Sequence, residues 1–562
     1  MQADCISVKK ENPVMKLRGA CCFLVSLLVF ASLAAAQSDP ARDFFKKGEM
    51  YYWGRGAERD YKQAEAWFLK AAAQGHANAA AILADMYYQG INVKIDNQKA
   101  FELAKQAAEK GDVFGKFLYA YNGFFQGKGV KKDEARANEM LNAIVPEITQ
   151  LAEEGNPFAQ DYLAAMYYYG KGVTRDYQQV FKWTKKAAEQ GYAEALRHIG
   201  VIYEEGKCAD QDHHKALKWF QKAAEHDHAC AYGNLGIMYE NGLGVRQDYN
   251  EALKWYQKAA EQGHADAQVN LGTMYSGGRG VTQDYKEAVR WYETAARQQD
   301  AAGQNWLGVM YAGGQGVAQD YKEALKWYQR AAEQEHSYAQ RNLGIMYENG
   351  WGVRQDYKEA VRWFQKAAEQ GHAEAQVNLG TMYYEGKGVE TDYEAALKWF
   401  RKAAEQENAE AQVNLGFMYS DGRGAAQDYE EAVRWYQKAA EQGNANAQIN
   451  LGIIYANMAQ DYTEAIRWYQ KAAEQGHSVA QVNLGILYAD VAQNYTETLK
   501  WFQKAAEQGN VDALFNLGYM YENGRGVEKN DEYAVNWYRK AAEKGHNSAK
   551  EALNRLEKQR TE

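Results

Sequence analysis

Residues 233–268 read GNLGIMYENGLGVRQDYNEALKWYQKAAEQGHADAQ, and variants of this 36-residue phrase fill the chain from Phe45 onward. A unit this short cannot bury its own apolar face and must stack on copies of itself, so the period decides the fold. The recurring Trp gives the register: Trp67, Trp183, Trp219, Trp255, Trp291, Trp327, Trp363, Trp399, Trp435, Trp468, Trp501 and Trp537, with Leu103 and Met140 at that place in two degenerate copies. Fourteen units result, starting at Phe45, Ala81, Phe117, Asp161, Arg197, Gly233, Val269, Asn305, Arg341, Val377, Val413, Ile449, Val482 and Phe515. The third carries extra residues around Pro146, and the twelfth and thirteenth lack a Gly-x-Gly loop. The chain therefore divides into a leader over 1–36, a short linker over 37–44 and a repeat array over 45–562, degenerate over 81–160 and shortened over 449–514.

Each unit reads as two antiparallel helices. Ala267, Leu271, Met274 and Tyr275 form one helical stripe, which Gly278 and Gly280 end, because glycine tolerates a left-handed cap. Asp284 is placed to cap the second helix, with Glu287 completing a capping-box-like pair. Ala288, Trp291, Ala295 and Ala296 make that helix's inward face. The small residues of each Leu-Gly step (Gly236, Gly272, Gly344) and the paired Ala let backbones approach, and the Trp is expected to fill the remaining core.

The pattern A-x-x-x-L-G-x-x-Y-x-x-G-x-G-V-x-x-D-x-x-x-A-x-x-W-x-x-x-A-A-x-x-G stands nearly complete in Ala231–Gly263, Ala339–Gly371 and Ala375–Ala404. It resembles the SEL-one-like repeat (SLR) family, relatives of the tetratricopeptide repeat. The resemblance implies an all-α, right-handed α-α superhelix (solenoid) of about fourteen stacked helix-turn-helix repeats. It also implies an adaptor or scaffold, secreted or periplasmic in a Gram-negative bacterium.

The leader agrees with that compartment. Lys9, Lys10, Lys16 and Arg18 precede an apolar run from Cys21 to Ala36, and Ala34-Ala35-Ala36 before Gln37 suits signal peptidase. The run is shorter than the ~20 residues a spanning helix needs, so an uncleaved anchor is the lesser alternative. Translation from Met15 would give a more ordinary signal peptide. Removing residues 1–36 takes away four basic and two acidic residues and moves the net charge from −9 to −11, opposite to what nucleic acid attracts.

Enzyme signatures are missing. The one S-x-x-K, Ser7 to Lys10, lies in the leader without K-T-G or S-D-N partners, and there is no G-x-S-x-G, H-E-x-x-H or P-loop. His76, His264, His336, His372, His477 and His546 recur where other copies carry Asn156, Asn444 or Asn510, an exchange that signals helix capping. No cofactor is expected. The fifth unit is the exception, with Cys208, Asp212 and His213 in its loop and His226, His228 and Cys230 at its far end, residues suited to zinc or copper. A helix of about thirteen residues holds the two clusters roughly 20 Å apart. A Cys208–Cys230 bridge, which needs Cα atoms within about 7 Å, is therefore not expected.

The binding surface is expected on the first helices, which line the concave side of tetratricopeptide-like solenoids. Asn234, Asn270, Asn342, Asn378, Asn414, Asn450, Asn483 and Asn516 recur there, and an amide offers both donor and acceptor to an extended peptide or to the adjoining helix. Trp306 and His198 replace Asn in the eighth and fifth units, and Trp351 adds a second non-repeated indole. Trp306 with Asn270 and Asn342 is expected to centre a protein-binding groove. Acids at Glu240, Glu348, Glu385, Asp421, Asp490 and Glu522 rim it. The chain thus reads as a non-catalytic extracytoplasmic adaptor for a protein or peptide. It should bind no nucleic acid, and meet a membrane only through an uncleaved leader. The alternative, by resemblance to cysteine-rich relatives, is a protein that binds or hydrolyses cell-wall peptides or β-lactams.

Overall fold

The computed structural model describes residues 39–561. The leader, with its cleavage site and the two candidate starts, lies outside them. The chain forms two compact bodies, Met1–Gln319 and Asp320–Glu562, each built of tandem helix-turn-helix units. Among the described residues every regular element is a helix, and none is long and apolar enough to cross a membrane. The first helix runs over Pro40–Trp53, capped by Asp39, and so takes in residues that the sequence pattern assigned to the linker.

The unit with helices Ala265–Gly277 and Tyr285–Arg297 shows how the phrase folds. His264 accepts a hydrogen bond from the Ala267 amide (3.1 Å) and opens the first helix. Gly278, at φ 66°, closes it. Asp284 then accepts from the amides of Lys286 and Glu287. The expected capping box does not form, because the Asp284 amide is already taken by the Tyr275 carbonyl (2.9 Å). Glu287 turns instead to Arg290 (2.9 Å). His76, His336, His372 and His546 cap as His264 does, whereas His477 makes no such bond.

The aromatic core is offset by one residue from the expected one. Tyr292, not Trp291, is fully buried, and its ring lies so close to Gly272 that a Cβ there would sit 2.6 Å from Cε1. Phe68, Phe220, Tyr256, Phe364, Phe400, Tyr436 and Tyr538 repeat this packing, which is why the Leu-Gly step tolerates no side chain. Most of the tryptophans are half-buried at the seam between units and carry the cation three residues on: Lys366 lies 4.1 Å above Trp363, Lys402 4.3 Å above Trp399 and Lys438 4.2 Å above Trp435. Trp183, Trp468 and Trp501 are buried outright.

A buried glutamine ladder stitches successive units. In the second body Gln376 donates to the Ala368 carbonyl (3.1 Å) and accepts from Gln406 (2.8 Å). Gln412 with Gln442, Gln448 with Gln475 and Gln481 with Gln508 repeat the link. Each amide is satisfied on both sides, as its burial demands.

The degenerate units depart from the phrase where their sequences do. In the third, a short helix Val113–Leu118 runs into a π-helical stretch Tyr119–Phe125, and the helix Glu134–Glu153 continues past Pro146. In the shortened units, Gln460 (φ 51°) and Gln493 (φ 49°) take the left-handed turns that glycine supplies elsewhere.

The first body also folds back on itself. After helix Ala77–Gln89, the loop at residues 90–96 docks on the turns at residues 226–229 and 262–263. The Ile95 amide donates to the Gln262 carbonyl (2.8 Å) and that of Asn92 to Asp227 (3.3 Å). Ile91, fully buried, pairs with His228 in an isolated antiparallel bridge. The second unit thus meets the junction of the fifth and sixth.

Candidate functional site

Beside this closure the first body holds a polar cavity of about 320 Å³. Its chemistry starts from charged residues in places where other units have apolar or solvated ones. Asp85 stands where other units have Ile237, Thr273 or Phe417, and Asp161 and Arg197 where they have Val269 or Val377. Glu194 occupies the position of Asp266, Glu374 and Glu410, which are exposed, yet it is only 3% exposed.

Glu194 gathers three cations. Arg197 Nη2 reaches it at 2.5 Å, His198 Nε2 at 3.0 Å and His228 Nε2 at 2.6 Å. These partners hold its carboxyl well below the usual range although burial pushes the other way. His198 also donates through Nδ1 to Asp161 (2.9 Å). Burial opposes its charge, but Asp161 and Glu194 overcome that and raise its pKa to about 9. His228 is likewise raised to about 9, against burial, by Cys230 first and then by Glu194. Asp85 is the contrasting acid: Tyr192 donates to its Oδ2 (2.7 Å), Oδ1 is buried without a partner, and burial pushes its pKa up to about 7. At the outer edge of the closure, His226 sits between the Tyr61 hydroxyl (2.5 Å) and Arg59 (3.1 Å), with its pKa lowered to about 4 by burial and then by Arg59.

The sequence singled out His198, His228 and Cys230 as departures from the phrase, and the structure brings all three to this cavity or its wall. It missed Asp85, Asp161, Glu194 and Arg197. Three of the metal candidates are otherwise engaged, Asp212 capping helix His213–Ala224, His226 meeting Arg59 and Tyr61, and His228 meeting Glu194, while His213 Nδ1 is buried without a partner. Cys208 and Cys230 are both free thiols. Among the described residues no group of three or more His, Cys, Asp or Glu side chains is arranged to hold a metal ion.

The asparagine file divides between the bodies. In the first, Asn234 and Asn270 are half-buried and line the cavity, with Asn270 beside the Tyr256 hydroxyl of the preceding unit. Trp306 is 37% exposed and stacks on Tyr292 (5.8 Å between centroids). In the second body Asn342 and Asn414 are half-buried, and Asn378 accepts from Arg341 (3.2 Å). Asn450 and Asn483 lie beside the hydroxyls of Tyr436 and Tyr469. Asn270, Asn378, Asn450 and Asn483 thus each meet a residue of an adjoining unit. Trp351, 42% exposed, stacks on Tyr321 (5.4 Å). The acidic rim is partly neutralised: Glu240 accepts from Tyr256, Glu522 from Tyr538 and Arg555, and Glu385 and Asp421 pair with Lys387 and Arg423.

One feature of the second body escaped the sequence reading. Phe417, Ile453, Ile486 and Tyr519 follow the Leu-Gly steps of four consecutive units, and each is exposed by 38–43%. Each lies three residues beyond Asn414, Asn450, Asn483 or Asn516, on the same helical face.

A family model described as Sel1 repeat matches fourteen stretches, from residues 48–76 through 511–546. Among solved structures, the chain is similar to a protective antigen of uropathogenic Escherichia coli strains that displays an SLR fold. That protein is 38% identical over 74% of this chain and 90% of its own, with a TM-score of 0.52. A Sel1 repeat protein from Oxalobacter formigenes is 34% identical over 54% of this chain and 87% of its own, with a TM-score of 0.39. Cysteine-rich protein B of Helicobacter pylori is 26% identical over 22% of this chain and 89% of its own, with a TM-score of 0.19. With matched repeats running from residue 48 to residue 546, the chain belongs to the Sel1 repeat family, whose helical solenoids mediate interactions between proteins.

Proposed function

We propose that the protein is a non-catalytic, extracytoplasmic scaffold that binds a protein or peptide partner along its first helices. The observation that carries this reading is the stripe Phe417, Ile453, Ile486 and Tyr519, apolar side chains left half in solvent in four successive units. Single exposed apolar residues are ordinary, but four in register beside amide donors and acceptors make a surface suited to a partner's apolar side chains and backbone. Trp306 and Trp351 offer rigid aromatic anchors of the kind that dominate interfaces. The leader supports the compartment, and many weak contacts along a repeated surface add up.

The test is affinity capture from a cell-envelope extract, followed by titration of the purified partner against wild type, a Phe417→Ser/Ile453→Ser/Ile486→Ser variant and Trp306→Ala. Weakened capture with an unchanged melting temperature is the expected result. Undiminished binding by both variants would refute the assignment of the surface. Repeats that stay protected inside the cytoplasm when intact cells are treated with protease after outer-membrane permeabilisation would refute the compartment, and nitrocefin turnover would refute the non-catalytic reading.

A further inference from the structure

The four helices under the exposed stripe, Ala409–Asp421, Ala445–Ile454, Ser478–Asp490 and Val511–Asn523, present a common cross-section to solvent. Positions spaced by four, three and four residues fall on a single helical face. In the eleventh unit they are Glu410, Asn414, Phe417 and Asp421, and in the thirteenth Val479, Asn483, Ile486 and Asp490. The asparagines are half-buried and the others exposed. Around the shortened units the apolar area widens, with Met458, Val479 and Val491 exposed by 44–54%.

Charge on this face has one sign. The four helices hold Glu410, Asp421, Asp490, Asp512 and Glu522 and no Lys, Arg or His. Bases on the second helices are engaged there: Arg434, Arg467 and Lys500 pair with the acid three residues before them at 2.9–3.0 Å. Where a base does reach the face it pairs, Arg423 with Asp421 and Arg555 of the last helix with Glu522 (2.6 Å). Glu410 and Asp490 are exposed and make no ion pair among the described residues. An apolar stripe flanked by such acids repels nucleic acid and anionic lipid, and a wholly apolar partner would offer the acids nothing.

Resting on the reading that this face is the binding surface, we propose that its partner is a cationic amphipathic helix of another protein. The helix seats apolar side chains on Phe417, Ile453, Ile486 and Tyr519, and its Lys or Arg side chains reach Glu410 on one side and Asp490 on the other, as Arg555 reaches Glu522. At roughly 10 Å per unit the stripe is about 30 Å long, which a helix of about twenty residues matches. Residues seven apart on that helix rise about 10.5 Å, so one apolar side chain meets each unit.

The test uses two fluorescein-labelled amphipathic peptides of about twenty residues, one of Leu and Lys and one of Leu and Glu, titrated against the full chain by anisotropy. The Leu/Lys peptide should bind at least about tenfold more tightly than the Leu/Glu peptide, and should lose at least about tenfold between about 50 and about 500 mM salt. Glu410→Lys/Asp490→Lys should weaken it about tenfold. Glu430→Lys/Glu507→Lys makes the same charge change at exposed places on the second helices, and should alter binding less than about twofold. No binding of the Leu/Lys peptide, equal binding of the two peptides, or equal effects of the two charge swaps would overturn the proposal. The Phe417→Ser/Ile453→Ser/Ile486→Ser variant separates the two levels. If it loses the Leu/Lys peptide while the charge swaps act alike, the surface stands and only the cationic partner falls; if it binds that peptide unchanged, both fall.

Discussion

Replacing Glu194 by Gln should open the closure of the first body while leaving its helices intact. The carboxylate is 3% exposed and serves Arg197, His198 and His228 at 2.5, 3.0 and 2.6 Å. An amide of the same size keeps the shape but cannot answer three cations, and leaving buried charge unanswered costs about 3–5 kcal/mol. The penalty falls on the docked loop, because acids at this position in other units are already in solvent. At about 1.4 kcal/mol per decade, amides at residues 90–96 should exchange at least about a hundredfold faster in the variant, while the buried ladder around Gln376 in the second body should not change. The pH dependence supplies a sign. His198 and His228 have folded pKa values near 9, above the ordinary 6.5, so their stabilisation is complete below pH 6.5 and is lost as pH rises through 9. Asp85 has a folded pKa of about 7, and its contribution, present at low pH, is already fading there. Wild-type protection at residues 90–96, corrected for intrinsic exchange, should therefore decline between pH 7 and 9, and Glu194→Gln should reduce that slope without abolishing it, because Asp161 and Cys230 stay beside the two histidines. Unchanged exchange at residues 90–96 in the variant, or equal acceleration in both bodies, would refute the reasoning.

Three further outcomes follow from the repeat itself. Gln376→Met removes one hydrogen bond to the Ala368 carbonyl and one from the Gln406 amide, and should lower stability by about 1–3 kcal/mol in denaturant melts of the second body's transition. Gly380→Ala places a Cβ 2.7 Å from Cε1 of Phe400, which cannot withdraw from a packed core, and should cost about 1–3 kcal/mol by the same assay. His477 makes no capping bond although its ring is buried at Nδ1. His477→Asn, supplying the cap that Asn444 and Asn510 make, should raise stability by about 0.5–1 kcal/mol, and a fall in the melting temperature would contradict this.

The fold was legible because its signals are local and repeated: Asp284, Gly278 and His264 cap helices in nearly every copy at a fixed offset. The exchange of Trp291 for Tyr292 as the core residue shows where periodicity loses resolution. Adjacent aromatics are 100° apart on a helix, and the Tyr292 ring takes the space that Gly272, lacking a side chain, leaves open. The cavity was mostly illegible. Asp85, Glu194 and His228 are far apart in the chain, and the docking of residues 90–96 that joins them belongs to no repeat. A trace existed nonetheless, in charges standing where other copies carry Val, Ile or Thr. The exposed stripe from Phe417 to Tyr519 was missed for the opposite reason, since apolar residues on a helix of this kind read as interior until their surroundings are seen.

The docked loop changes what kind of polymer the leading half is. A plain array held by nearest neighbours unzips from either tip, one unit at a time. Here the second unit is fastened to the junction of the fifth and sixth, so the opening repeats form a ring that cannot peel without breaking long-range contacts. Fraying and proteolytic nibbling should therefore begin from the carboxyl-terminal tip, and the amino-terminal ring should survive as the last intact piece.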